Sequence, residues 1–292
     1  MRPRDVALAL LVVALWGVTF VVIKIALRGV SPFVLGGLRF AVTAIPAVLF
    51  VRRPRVPLRL YVGFALTAFV LQFGLLFWAF KLGMPSGLSS VIHQSQAFIT
   101  VLLAVPVFGE KPRRPQIAGM VVAALGLAWI GAESGTSFPL VAFALNLCAS
   151  AAWAVGNLIS RSLSRHGPVD GVAFVIWSSL IPPLPFFALA WTFEGGAAVA
   201  SSLRAMDAVS WAAVAYLAFG ATLGGYGLWN RLLNSYPAAQ VAPFTLLVPV
   251  VGLLAGRLAL GERLTAAQLA GSALVATGLA LPVAAAQWRR RS

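Results

Sequence analysis

Long runs of apolar residues, separated by short polar or charged gaps, follow one another along the whole chain. Because the hydrocarbon core of a bilayer is about 30 Å thick, a helix that crosses it needs about 20 apolar residues. Ten runs approach this length and predict ten transmembrane spans, at approximately 6–27, 32–51, 60–81, 86–107, 115–132, 139–160, 170–193, 209–231, 238–260 and 265–287. The pattern therefore predicts an all-α integral membrane protein.

Composition supports this interpretation. The 292 residues are 60% hydrophobic and 10% charged, with a mean hydropathy of +0.93. A soluble domain carries about a quarter of its residues as charged side chains. The single cysteine, Cys148, excludes an intrachain disulfide, and the sequence shows no metal-ligand spacing. We expect neither a metal nor a cofactor.

The net charge of +15 is typical of proteins that bind nucleic acid, but here the basic residues fall in the gaps between apolar runs. With a cytoplasmic N-terminus, 15 of the 22 basic residues lie in cytoplasmic segments and 5 in external ones. This is the positive-inside pattern of a membrane protein. It predicts an inner-membrane protein with both termini in the cytoplasm and no nucleic-acid partner. No cleavage site follows the first apolar run, so we interpret it as a retained span.

The sequence contains an internal repeat. When it is shifted by 152 residues, Pro85 falls on Pro237, 109–111 (Gly-Glu-Lys) on 261–263 (Gly-Glu-Arg), and Gln116 on Gln268. The repeat predicts two halves, 1–137 and 138–292, of five spans each. Because five is odd, the second half enters the membrane inverted. Inverted repeats around a central cavity are typical of alternating-access transporters, although duplication alone also produces a stable ten-helix fold.

Several of these motifs resemble a known family. They are the Trp16–Phe20 stretch followed by Lys24, the Leu38–Phe40 stretch, and the doubled Gly-Glu-Lys/Arg after spans 4 and 9. The chain resembles the drug/metabolite transporter superfamily of the EamA type, and within it bacterial exporters of cysteine/O-acetylserine and aromatic amino acids. The resemblance implies export of amino acids or related metabolites across the inner membrane of a bacterial cell.

Candidate binding residues lie in polar stripes. Span 4 carries Ser89, His93 and Gln96, and span 6 carries Trp153 and Asn157, at spacings that place each set on one helix face. Polar groups inside a membrane are costly and usually face a cavity. The predicted substrate-binding residues are Trp16, Thr19, Phe20, Gln72, Ser89, His93, Gln96, Trp153, Asn157, Tyr226 and Asn230. Spans 1, 3, 4, 6, 8 and 9 should wall the cavity, with spans 5 and 10 peripheral. The alternative is that these polar groups join helices to one another.

Other residues are assigned structural roles. Arg39 in span 2 is interpreted as a structural hydrogen-bonding residue, although it could instead attract a substrate carboxylate. Glu110 and Glu262 each follow a glycine between two spans, and are interpreted as connectors at helix N-termini that pair with Lys111 or Arg263. In span 9, Pro243 and Pro249 are candidate hinges, or else static kinks.

These features predict a monomeric exporter of small zwitterions, with broad specificity, driven by the gradient of its substrate. Proton-coupled export of drugs or other metabolites is the alternative, with His93 as the neutral-range proton carrier within a span. A channel is disfavoured because two inverted halves do not form a ring of identical filter loops. An intramembrane enzyme is a remote alternative, since Ser89 and His93 lie four residues apart but no acidic residue falls at mid-span.

Overall fold

The computed structural model describes residues 1–109, 111–133, 138–167, 169–236 and 238–288. In chain order its apolar helices are α1 (Pro3–Ala26), α2 (Pro32–Ala47), α3 (Leu58–Lys81), α4 (Ser86–Phe108), α5 (Arg114–Ala132), α6 (Leu140–Ser162), α7 (Gly171–Glu194), α8 (Ala208–Leu232), α9 (Phe244–Leu260) and α10 (Ala266–Ala286). A short helix, Gly196–Arg204, connects α7 to α8. No strand occurs in the described residues, which confirms the all-helical prediction.

Among these described helices, eight are long and apolar enough to cross a membrane, and α2 and α9 are shorter. Two features account for the short lengths. Pro46 lies in the last turn of α2, which ends one residue later, and a proline ring clashes with the preceding helical turn. The predicted start of span 9 contains a tighter 3₁₀ segment, Ala242–Leu247, in place of regular α-helix. The number of membrane crossings therefore stays a prediction.

Helices α3 and α8 each contain a π-helical segment, Ala65–Leu71 and Tyr216–Gly224 respectively. A π segment widens the helix and shifts the residues after it to a different face. In α3 the residue that follows directly is Gln72, a predicted site residue that is 6% exposed. These segments therefore set which side chains point into the bundle.

Helices α4 and α9 are also irregular. Two α-helical parts of α4, Ser86–His93 and Gln96–Phe108, are separated by a turn, and α9 passes from its 3₁₀ segment into α-helix at Val248. Each helix ends at a left-handed glycine, Gly109 with φ +68° and Gly261 with φ +65°. Glycine adopts this conformation without steric cost, and it ends a helix by satisfying its last carbonyls.

Glycines also allow close packing between helices. A β-carbon added at Gly17 of α1 would lie 2.6 Å from the Val251 side chain of α9, and one at Gly126 of α5 would lie 2.6 Å from the Gly271 carbonyl oxygen of α10. Small residues at such crossings are typical of helix association in membranes. Leu125, the neighbour of Gly126 in α5, is 60% exposed. Helices α5 and α10 thus pair with each other at the edge of the bundle.

Candidate functional site

A cavity of about 70 Å³ lies among six helices, close to the middle of most of them. Its wall comes from α1, α2, α3, α4, α6 and α8. The described lining residues are Trp16, Thr19, Phe20, Ile23, Arg39, Gln72, Phe73, Leu76, His93, Trp153, Ala221 and Tyr226. Drug-sized ligand sites measure about 300–1,000 Å³, so this conformation is narrow and has room for a few water molecules. No described residue of α9 lines it, whereas α2 contributes Arg39, so the predicted wall is wrong on these two helices.

His93 is at the centre of the polar part of the wall. Its Nε2 lies 3.1 Å from the Gln72 Nε2, and its Nδ1 lies 3.4 Å from the Ser150 Oγ. The Trp153 ring stacks on the imidazole, with centroids 5.1 Å apart, and Phe20 approaches it edge-on at 5.7 Å. The imidazole therefore joins α3, α6 and α1 and is held on both ring nitrogens and on its face.

Trp16 forms a second aromatic part of the wall. Its indole N–H donates to the carbonyl oxygen of Ala221 at 3.1 Å, and Ala221 belongs to the π-helical segment of α8. The ring packs against Tyr226 at 5.7 Å and Trp229 at 5.4 Å. The hydrogen bond fixes the indole where its apolar face meets the cavity, because a buried tryptophan N–H takes a hydrogen-bond partner.

Arg39 is 4% exposed and lines the same cavity. Its Nη2 donates to the Thr222 Oγ1 at 3.3 Å, and its Cζ lies 4.0 Å from the centroid of the Phe73 ring. The Nε and Nη1 have no hydrogen-bond partner among the described residues. Sequence reasoning assigned this arginine a structural role, but the structure places it in the cavity wall with two nitrogens unpaired among those residues.

Four predicted site residues lie outside this wall. The Asn146 Nδ2 donates to the Ser89 Oγ at 2.6 Å, and the Asn157 Nδ2 donates to the Gln96 Oε1 at 2.6 Å, so both pairs join α4 to α6. Asn230 instead borders a separate depression of about 760 Å³ between the end of α6 and the start of α7. Ser89, Gln96 and Asn157 therefore join helices to one another, which was the alternative to cavity lining.

The sequence did not identify the apolar lining residues Ile23, Phe73, Leu76 and Ala221. A search for polar stripes cannot find them, since apolar residues are the background of every span. Phe73 carried one usable signal, because it directly follows Gln72, the amide residue of that span.

The candidate hinges and the two glutamates are the remaining predicted positions. The candidate hinges are in α9 and the segment before it, with Pro243 in the 3₁₀ segment and Pro249 in the first turn of the α-helical part. Glu110 lies outside the described residues.

Glu262 lies in the connection between α9 and α10 and caps a different helix, α4. The Ser86 N–H donates to its Oε1 at 2.7 Å and the Gly87 N–H to its Oε2 at 2.9 Å, and the Lys24 Nζ lies 2.9 Å from its Oε1. The predicted pairing with Arg263 is therefore wrong, because Lys24 of α1 takes that place. Burial disfavours the ionised carboxyl, but the Gly87 and Ser86 N–H groups and the Lys24 ammonium outweigh it and lower the pKa of Glu262 from its ordinary value of 4.5.

Among the described residues no cluster of three histidine, cysteine or acidic side chains is arranged to hold a metal ion. A family model described as the EamA-like transporter family matches residues 4–132 and again residues 140–283. The chain belongs to the EamA-like transporter family. The resemblance inferred from the motifs is thereby confirmed, and transport across a membrane is the function of this class of protein.

Two relatives of this EamA-like transporter carry the name "Probable amino-acid metabolite efflux pump". The protein of Escherichia coli (strain K12) is 43% identical over 293 residues, covering 99% of this chain and 98% of its own length. That of Salmonella typhimurium (strain LT2) is 45% identical over 293 residues, with the same coverage. A solved crystal structure superimposes over 100% of both chains with a TM-score of 0.67 at 20% identity, which shows a shared fold alone.

Proposed function

We propose that this EamA-like transporter exports amino acids and related small metabolites across the bacterial inner membrane by alternating access. The observation that carries the proposal is the narrow cavity near mid-helix, where Arg39, Gln72 and His93 meet the faces of Trp16 and Trp153. Transporter sites lie near the bilayer midplane between helices. The names of the two relatives support the substrate class. Aromatic walls adapt to different side chains, which favours broad specificity.

The two halves, 1–137 and 138–292, move against each other in this proposal as inverted five-helix repeats. Irregular features recur at the repeat spacing, since the π segment at Ala65–Leu71 corresponds to one at Tyr216–Gly224 and the left-handed Gly109 to Gly261. The family model also matches two separate segments, 4–132 and 140–283. Pro243 and Pro249 are proposed to absorb bending of α9, and the transporter is proposed to act as a monomer.

Both termini are proposed to lie in the cytoplasm, on the basis of the asymmetry of positive charge between the two sides. We propose further that the substrate moves down its own gradient. A proton carrier must release and bind protons freely, whereas both ring nitrogens of His93 already face Gln72 and Ser150. The enzyme alternative also loses support, because Ser89 accepts from Asn146 and no acidic residue orients the imidazole among the described contacts.

The proposal is tested by counterflow in proteoliposomes loaded with an unlabelled amino acid and exposed to the same labelled compound. A panel that covers small, branched, aromatic and sulfur-containing amino acids should give saturable, protein-dependent exchange for several members. Exchange should persist without a pH gradient, in wild type and in His93→Gln. No exchange for any member would contradict the substrate class, and accumulation that requires the pH gradient and disappears in His93→Gln would establish proton coupling instead.

A further inference from the structure

The Arg39 guanidinium is buried without a matching negative charge. Within the described apolar helices the acidic residues are Asp5 and Glu194, each in an end turn, and none faces the cavity. An arginine side chain stays protonated in proteins and has five N–H donors. Here one donor reaches Thr222 at 3.3 Å, while Nε and Nη1 have no partner in the described part of the chain. Buried charges in proteins are normally paired, so a buried guanidinium without a carboxylate partner is unusual.

The surroundings hold this side chain in place without neutralising it. The Phe73 ring lies 4.0 Å from Cζ and the Phe40 ring 5.3 Å, which gives cation–π attraction on the flat faces of the group. On the edge of the guanidinium, Nε and Nη1 keep N–H groups that have no partner among the described residues. Thr222 does not depend on Arg39, because its hydroxyl donates to the Leu217 carbonyl at 2.8 Å. Removing Arg39 therefore leaves no unsatisfied donor on Thr222.

We infer that Arg39 is the carboxylate-binding residue of this transporter, so that a carboxylate is the obligatory group of its substrates and the amino group is dispensable. The inference rests on the proposed function and names the recognition element of that site. A planar guanidinium offers two parallel N–H donors that match the two oxygens of a carboxylate. In Arg39 such a pair is formed by the second N–H of Nη2 together with the unpartnered N–H of Nε or Nη1. The described wall has no acidic side chain for an ammonium group, which meets only amides, an imidazole and aromatic faces.

The recognition rule predicts a specific order within each chemical series. An amino acid and its des-amino acid should both bind, whereas the amide and the decarboxylated amine should not. Leucine, 4-methylpentanoate, leucinamide and 3-methylbutylamine form one such series, and phenylalanine, 3-phenylpropanoate, phenylalaninamide and 2-phenylethylamine form another. Inorganic phosphate is the additional probe, because it also accepts two hydrogen bonds from arginine.

The test measures thermal stabilisation of the detergent-purified full chain by each probe, followed by counterflow of the same compounds in liposomes. The variants are Arg39→Met, Arg39→Lys and the control Arg53→Met. Arg53 also lies over an aromatic ring, that of Tyr61 at 5.3 Å, but it borders a different depression. We expect the acids to bind wild type and Arg53→Met alike, to bind Arg39→Met at least tenfold more weakly, and to bind Arg39→Lys with intermediate affinity.

The ligand-free melting temperature separates this role from a structural one. If the charge of Arg39 is paired only by bound substrate, Arg39→Met removes an uncompensated buried charge from the apo protein. Because methionine also packs well against Phe73, the apo variant should melt at the same temperature as wild type or higher. The inference would be overturned if Arg39→Met lowered the apo melting temperature and left the ratio of the affinities for acid and amide unchanged. It would also be overturned if phosphate or the amides bound wild type as tightly as the acids.

The experiment distinguishes failure of this inference from failure of the proposed function. Exchange of amino acids together with their amides, unaffected in Arg39→Met, rejects the carboxylate rule and leaves amino-acid export intact. Arg39-dependent binding of the acids without exchange of any amino acid rejects the proposed transport function and supports the carboxylate site.

Discussion

Helices α4 and α9 occupy equivalent positions in the proposed repeat, yet their side chains have different roles. At a separation of 152 residues, the α4 positions Ser89, His93 and Gln96 correspond to Val241, Thr245 and Val248. His93 lines the cavity, and Ser89 and Gln96 bond to α6. No described residue of α9 lines the cavity, and this helix instead packs closely on α1 and α4.

The difference shows that the repeated framework and the binding site are determined by separate features. Backbone irregularities recur in both halves, whereas nine of the twelve described lining residues belong to residues 1–137 and only Trp153, Ala221 and Tyr226 to the second half. A symmetric framework can tilt between two equivalent states, while a single-sided set of polar groups defines one binding site. Substitutions in the two helices and their contacts can test whether α9 supports the framework and α4 supplies the site.

The largest effect is expected at the contact between α9 and α4. A β-carbon at Gly252 would lie 2.6 Å from the Ser90 β-carbon, which is too close for any side chain. Overpacking of this kind costs about 1–3 kcal/mol. We therefore expect Gly252→Ala to lower the melting temperature by several degrees and to reduce the yield of monodisperse protein. Gly227→Ala is the control, because nothing lies within 4 Å of a β-carbon added at that position. Equal melting of the two variants would show that α9 does not need this packing.

The next effect concerns the connection after α9. Glu262 caps α4 through Ser86 and Gly87, and a hydrogen bond to a charged group contributes about 1.5–3 kcal/mol. We expect Glu262→Gln to lower stability by about 2 kcal/mol at neutral pH. Because the pKa of Glu262 is lowered in the folded protein, its contribution is present above the ordinary value of 4.5 and is lost as pH falls below it.

The measurement is the melting temperature of wild type and variant from neutral pH down to about one unit below the ordinary glutamate pKa. The gap between them should narrow at the acidic end. Asp170→Asn is the matched control, because Asp170 is an exposed cap that accepts from the Val172 N–H at 2.9 Å, and asparagine caps a helix equally well. A gap that stays constant with pH would mean that the Glu262 charge does not stabilise the fold.

The sequence predicted the helices well because apolar run length is a direct consequence of bilayer thickness. It could not predict the π segments of α3 and α8, since runs of apolar letters do not encode whether a carbonyl bonds four or five residues ahead. Polar periodicity singled out His93 and Trp153, which line the cavity. It could not separate them from Gln96 and Asn157, because an amide that faces another helix and one that faces a cavity have the same spacing.

A smaller effect is expected where α4 is given the residue of its α9 counterpart. His93→Thr removes the ring that stacks on Trp153 and contacts Gln72, so the cavity wall loses its central support. We expect exchange to fall about tenfold, equivalent to about 1.4 kcal/mol of transport barrier. Thr277→Val, on the exposed face of α10, should leave exchange unchanged. Normal exchange in His93→Thr would show that this α4 position is no more specialised than Thr245.

The smallest effect is expected at the second polar pair of α4. Asn157 donates to the Gln96 Oε1 at 2.6 Å and to the Thr100 Oγ1 at 3.3 Å, and none of the three lines the described cavity. Hydrogen bonds between transmembrane helices contribute about 0.6 kcal/mol on average. A double-mutant cycle of Gln96→Leu and Asn157→Leu should therefore give a coupling of this size in stability, with an unchanged half-saturation concentration for exchange. A change of tenfold or more in that concentration, with no coupling in stability, would show that both residues contact the substrate. The substrate-binding face of α4 would then extend one turn beyond His93.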